Sequence, residues 1–183
     1  MSISLIIVLV VLLLVFFWGM AVYNRIIVLK NELKNAYGQI DVQLKRRYDL
    51  IPNLVETAKK YLSHERETLE AVIAARSRAH TASAQLQSTP ADGKAIQDLN
   101  HAEAMLQGSL GRLLALRESY PELKADRTIA ELNEELTSTE NRVGFARQAY
   151  NDAILAYNIA AEQFPDVLLA KLCGFGGLPM LQS

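Results

Sequence analysis

A chain of 183 residues with 19 basic and 20 acidic side chains carries a formal net charge of −1, and 50% of it is hydrophobic. That length suffices for one compact domain and a short extra segment. The near-neutral balance, without a dense basic patch, excludes a nucleic-acid binder, and the lone Cys173 excludes an intramolecular disulfide framework.

The chain opens on an apolar run, Ile3 to Val22, interrupted by Ser4 and Gly19 alone, and its first charge is Arg25. A helix of about 20 such residues crosses a hydrocarbon core of about 30 Å. Residues 1–23 are therefore expected to be a transmembrane anchor. Trp18, Tyr23, Arg25 and Lys30 sit where aromatic rings and cations favour the headgroup zone. A cleaved signal peptide is the competing reading, but no basic residue precedes the run and Met20-Ala21-Val22-Tyr23 makes a poor cut site. No Lys or Arg lies before the span, whereas Arg25, Lys30 and Lys34 follow it. The positive-inside rule then predicts the N-terminus outside and the rest of the chain in the cytoplasm.

Residues 24–165 read as helix, with apolar side chains at three- and four-residue steps and no sustained alternation of the strand type. The first stripe runs Ile26, Leu29, Leu33, Tyr37, Ile40, Leu44, Ile51, Val55, Ala58 and Leu62. No breaker separates it from the anchor, so one rod is expected, kinked or broken near Asp49–Pro52 because proline lacks an amide and clashes with the carbonyl four residues back. Asp49 is available there as a cap, and Ser63 could cap a restart. Ile26, Leu29 and Leu33 leave the membrane before bundle partners obviously cover them, which predicts an exposed apolar patch and a homo-oligomer contact.

Between Ala82 and Gly93 the pattern lapses and predicts a loop, with Thr89-Pro90-Ala91-Asp92 as the next helix start. Ile96, Leu99, Ala102, Leu106, Leu110 and Leu113 mark a helix that stops at Ser119-Tyr120-Pro121. Thr128-Ile129-Ala130-Glu131 reads as a capping box. The seam that follows runs Leu132, Leu136, Thr139, Val143, Ala146, Tyr150, Ala153, Tyr157, Ala160 and Phe164, ended by Pro165. Tyr150-Asn151 and Tyr157-Asn158 repeat one heptad apart, as residues that fix register do. Residues 166–183 form an apolar, glycine-rich tail that can fold back on the bundle or touch the membrane or a neighbouring subunit.

Chemistry is hard to find. His64-Glu65-Arg66-Glu67-Thr68 begins like a zinc-protease helix and fails at the second histidine. Gly108-Ser109-Leu110-Gly111 lacks the ending of a phosphate loop. No enzyme, metal or cofactor is expected. The densest polar stretch, Gln39 to Val55, places polar groups beside a packing seam, where they need partners. The expected outcome is an interhelical network of Asp41, Arg46, Arg47, Asp49 and Asn53 with Glu140, Arg142, Asn151 and Asn158. The fold class is thus all-α: a single N-terminal transmembrane helix continuing into a four-helix-type bundle.

Gln39 to Val55 closely resembles the signature of the LemA family. So do Tyr23-Asn24, Tyr120-Pro121-Glu122-Leu123-Lys124-Ala125, Glu135-Leu136 through Thr139-Glu140-Asn141-Arg142, Ala146-Arg147-x-x-Tyr150-Asn151, Tyr157-Asn158 and Phe164-Pro165. The resemblance implies a bacterial membrane protein with one N-terminal span, the N-terminus outside, and a long antiparallel helical bundle. It supplies no catalytic residues. The tail departs from the pattern, since Cys173-Gly174-Phe175-Gly176-Gly177 lacks further charged or aromatic residues. The expected function is a noncatalytic scaffold in the cell (inner) membrane that associates with itself and with lipid. The gene neighbourhoods typical of the family suggest the alternative, an adaptor or regulator of a membrane protease or secretion system.

Overall fold

A computed structural model describes residues 3–182; Met1, Ser2 and Ser183, which the expected anchor and tail include, lie outside the described residues. Helix α1 runs Ile3–Lys59, α2 Arg66–Ser88, α3 Gly93–Ser119, α4 Pro121–Ala125, α5 Arg127–Glu162 and α6 Asp166–Leu172. The all-α class with one long apolar N-terminal helix is as expected.

Helix α1 has 57 residues, a rod of about 85 Å at 1.5 Å per residue. Residues 3–17 are exposed throughout, and the first side chain the bundle buries is Val22. Beyond it, α1 is the central stave. It packs against α5 and α2, and α2 packs against α3. As α1 advances from Tyr37 to Arg47, its α5 partners retreat from Tyr150 to Glu140, and Arg25, earlier on α1, lies against Asp166 just beyond the end of α5. The two helices are therefore antiparallel. So are α1 and α2, where Asp41 meets Gln87 and Tyr48 meets Arg76.

Several local expectations are corrected. Pro52 does not break α1. Its missing amide leaves the Tyr48 carbonyl without its helical donor, and Arg76 of α2 donates to that oxygen instead (Nε to O, 2.9 Å). Asp49 consequently caps nothing. Ser63 caps nothing either, because the turn continues and α2 starts at Arg66 behind Glu65. The loop expected from Ala82 shrinks to Thr89–Asp92, since α2 keeps burying Ala82, Ser83 and Leu86. Asp92, not Thr89, caps α3, accepting from the Lys94 amide at 2.9 Å. Asp126, not Thr128, caps α5, accepting from the Ile129 amide at 2.9 Å, while Glu131 pairs with Arg127. Phe164 leaves the seam: it lies past the end of α5 and is 77% exposed.

The tail is part of the bundle. Helix α6 ends in a Schellman turn, with Gly174 at φ +75° and the Phe175 amide bonded to the Ala170 carbonyl at 2.8 Å. The chain then runs extended between α3 and α5, and Leu178 and Leu181 are buried in the common core.

Candidate functional site: the polar seam and the asparagine-lined groove

The residues of the expected network divide into three groups. Asp41 is buried and faces α2. Its carboxylate accepts from Lys45 Nζ at 2.6 Å, Gln87 Nε2 at 2.8 Å and Ser83 Oγ at 3.3 Å. Arg47 is buried and faces the other way, donating to Glu103 of α3 at 2.6 Å and lying 3.1 Å from Glu140 of α5. Tyr48 donates to the same Glu103 carboxylate. One guanidinium thus joins three helices. Arg46 extends this seam outward, gripping Glu135 through Nε (3.2 Å) and Nη2 (2.7 Å).

Asp49, Asn53 and Arg142 stand outside it. Asp49 is exposed and lies 3.9 Å from Arg76. Asn53 and Arg142 are exposed too. Their helical phase turns them to water, one step off the buried face.

Asn151 and Asn158 do something different from fixing helix register. Asn151 donates to the Leu181 carbonyl at 3.0 Å and accepts from the Leu181 amide at 2.8 Å. Asn158 repeats this with Leu178, at 2.9 and 2.8 Å. Seven helical residues rise about 10.5 Å, and three extended residues span about 10 Å, so the heptad repeat on α5 matches the tail's own spacing. From the opposite wall, Asn100 of α3 donates to the Met180 carbonyl at 3.1 Å and accepts from the Gln182 amide at 2.7 Å. Arg147 donates to the Gln182 carbonyl at 3.0 Å. Three carboxamides therefore read the backbone of one extended strand, while Leu178 and Leu181 supply the apolar burial. A small cavity bordered by Arg47, Glu103, Gln107, Glu140, Arg147 and Gln182 lies between the polar seam and the strand's end.

Sequence reasoning missed Asn100, Glu103, Ser83 and Gln87. Each sits on a helix face whose apolar stripe is unremarkable, and a polar residue next to such a stripe does not say which helix it will meet. The matched spacing of Asn151-Asn158 and Leu178-Leu181 is the signal that could have paired clamp and strand.

Three buried phenols line the core. Burial holds Tyr37, Tyr48 and Tyr150 well above the usual tyrosine range, and the neighbouring Glu103 carboxylate pushes Tyr48 further the same way. Tyr37 bonds with Ser83, and Tyr150 donates to the Pro90 carbonyl at 2.8 Å, tying the α2–α3 turn to α5. These are neutral donors in structural bonds.

The expected oligomer patch is corrected. Ile26 and Leu33 are 1% and 0% exposed, and Leu29 is half-buried against the same core. The antiparallel packing of α5 on α1 takes this stretch into the core, with Ile154 and Ala161 level with Leu33 and Ile26, and α6 folds back beside it. The membrane-interface set is gathered by the same fold-back: Arg25 lies 3.9 Å from Asp166, Tyr23 packs on Phe175 with ring centres 5.9 Å apart, and Lys30 lies 5.1 Å from the Phe175 ring centre. Trp18 is half-buried against the core.

The profile of the LemA family matches residues 36–183. Two magnetosome proteins of Paramagnetospirillum magneticum, MamQ 1 and MamQ 2, are each 27% identical to the chain over 168 residues, covering 84% of it. The magnetosome protein MamQ of Magnetospirillum gryphiswaldense is 26% identical over the same length. The chain spans 62% of the length of these relatives. The matched region runs from the middle of α1 through the clamped strand, and the apolar end of α1 makes this a membrane-associated protein. By that match the chain belongs to the LemA family.

Proposed function

We propose that the protein is a noncatalytic, membrane-anchored helical scaffold that self-associates in the bacterial cell membrane, with its bundle on the cytoplasmic side. The observation that carries the reading is the continuity of α1. One unbroken helix is both the apolar span and the central stave of the bundle, so the bundle is held at a fixed height and tilt above the lipid. The charged groups of the seam support a structural role as well, because buried Asp41 and Arg47 and part-buried Glu103 are occupied in bonds between helices. The naming of the related MamQ proteins for the magnetosome fits a part in a cellular assembly.

Self-association needs a surface other than Ile26, Leu29 and Leu33. Val42 and Phe145 are 62% and 77% exposed, and the antiparallel register of α1 and α5 sets them level. Val28 and Ile159 repeat the arrangement two heptads nearer the membrane, at 55% and 52%. Isolated apolar residues on a surface are ordinary, whereas two such pairs, each level on adjacent helices, suit contact with another copy. Copies anchored through the same helix present this face at the same height.

Native mass measurement of the full chain in mild detergent tests the proposal. A large homomer that Val42→Asp with Phe145→Asp dissociates, at unchanged helix content, supports it. A monomer that co-purifies with one membrane protease replaces it with the adaptor reading. Labelling of Cys173, which is exposed, by an impermeant thiol reagent in intact cells would reverse the proposed orientation.

A further inference from the structure

Helix α6 and the turn that leads into it carry exposed apolar side chains that the bundle does not use. Phe164, Leu168 and Leu172 recur every four residues and are 77%, 63% and 83% exposed. The opposite face is spent on packing, with Ala170 fully buried and Asp166 nearly so. Leu168 and Leu172, four apart within α6, share one face of that helix, and Phe164 stands in the turn just ahead of it.

The height of this stripe is set by contacts of the inner face. Leu169 Cδ2 lies 3.9 Å from where a Cβ on Gly19 would be, and Arg25 lies 3.9 Å from Asp166. Gly19 belongs to the apolar run that ends at Val22. If that run lies in the bilayer, the outer face of α6 cannot be far above it. Arg25 and Lys30 follow the span on α1, and Lys171 is exposed on α6; cations just outside a span meet lipid phosphates.

We propose that α6 is an in-plane membrane helix, with Phe164, Leu168 and Leu172 inserted at the boundary between headgroups and acyl chains. A short helix with one apolar face and adjacent cations is the form that lies in that zone. The occupant of the stripe is lipid, argued from its continuity with the span, not from exposure alone. The protein then holds the membrane at two points, a span and a foot beside it. The foot fixes the depth of α1 and the side of the bundle that faces its neighbours. The proposal rests on α1 entering the bilayer, and the test separates the two.

The test uses the full chain with Cys173→Ser, reconstituted into vesicles of phosphatidylcholine and phosphatidylglycerol. An environment-sensitive fluorophore is placed on Leu168→Cys, on Leu12→Cys as a reporter of the span, and on Leu114→Cys on the bundle's distal half. Lipids spin-labelled near the headgroup should quench the Leu168 label several-fold more than the Leu114 label, and aqueous iodide should do the reverse. Iodide quenching of the Leu168 label equal to that at Leu114 would overturn the proposal. So would protection of the Leu168 label from both quenchers, which would mean that protein covers the stripe. The Leu12 label reports the anchor independently: iodide quenching there refutes the span and not the foot alone. A Leu168→Asp, Leu172→Asp variant gives a second readout, since both residues are exposed and the bundle should keep its helix content. Its vesicle-bound form should show the Tyr23 region more accessible to iodide, with no change expected if α6 never touched lipid.

Discussion

Arg76 donates to the Tyr48 carbonyl, the one oxygen in α1 that Pro52, four residues further on, leaves without its amide partner. The arrangement replaces a bond within one helix by a bond between two. Arg76→Met should therefore cost about 1–3 kcal/mol, the penalty for leaving a buried acceptor unmet. Pro52→Ala restores the local amide and should recover most of that loss in the Arg76→Met background. Denaturant unfolding of the four proteins in a double-mutant cycle measures it, and additive effects would mean that the two residues are unrelated.

The clamp of the C-terminal strand predicts amide protection in an otherwise extended segment. Leu178 and Leu181 donate their amides to Asn158 and Asn151, so both should exchange slowly with solvent. Asn158→Asp keeps the acceptor and loses the donor, setting a carboxylate against the Leu178 carbonyl. Exchange at Leu178 should then rise by at least tenfold, for a loss of about 1.4 kcal/mol or more. Unchanged exchange would mean that burial alone holds the strand.

Removing the guanidinium at the centre should be far worse than replacing the whole cluster. Arg47→Ala leaves the Glu103 carboxylate part-buried without its cation and should cost about 3–5 kcal/mol. Arg47→Met with Glu103→Gln leaves no charge stranded and still offers Tyr48 an acceptor, so it should be closer to wild type. Melting temperatures of the two variants decide the order.

The buried tyrosines predict an alkaline transition. Their native values lie above the ordinary tyrosine range because burial disfavours the phenolate. The stability this gives is fully present below the unfolded value of about pH 10 and is lost as pH rises through the native values. Of the seven tyrosines, Tyr37, Tyr48 and Tyr150 should ionise only as the bundle unfolds. Absorbance of tyrosinate and helix content should therefore change together late in the titration. Complete ionisation of all seven while helix content holds would contradict the burial argument.

Much of the helical pattern was legible because apolar spacing is a one-helix property. The seam of α5, read from Thr139, Val143, Tyr150, Tyr157 and Ala160, is buried. The partnerships between helices were not legible in the same way. Pro52 reads as a break until Arg76 is seen reaching it from α2. Ile26 and Leu33 read as bare until α5 is laid antiparallel against them. Asn151 and Asn158 read as register residues because their partners are backbone groups, which leave no mark in a side-chain pattern. In each case a local rule was sound and a distant segment changed its outcome.

The unbroken course of α1 ties rotation on one side of the membrane surface to rotation on the other. Each helical residue advances the phase by about 100°, so the side of the span that looks toward a neighbour is set by the same count of residues that aims Val42 outward. One residue inserted between Tyr23 and Arg25 would turn the bundle by about 100° about the span and lift it by about 1.5 Å. It would also strip Gly19 from Leu169 and Tyr23 from Phe175, while Arg25, on the bundle side of the insertion, would keep Asp166. The length of that short junction is therefore an angular setting, and assembly should respond to inserted residues with the periodicity of a helix, not in proportion to their number.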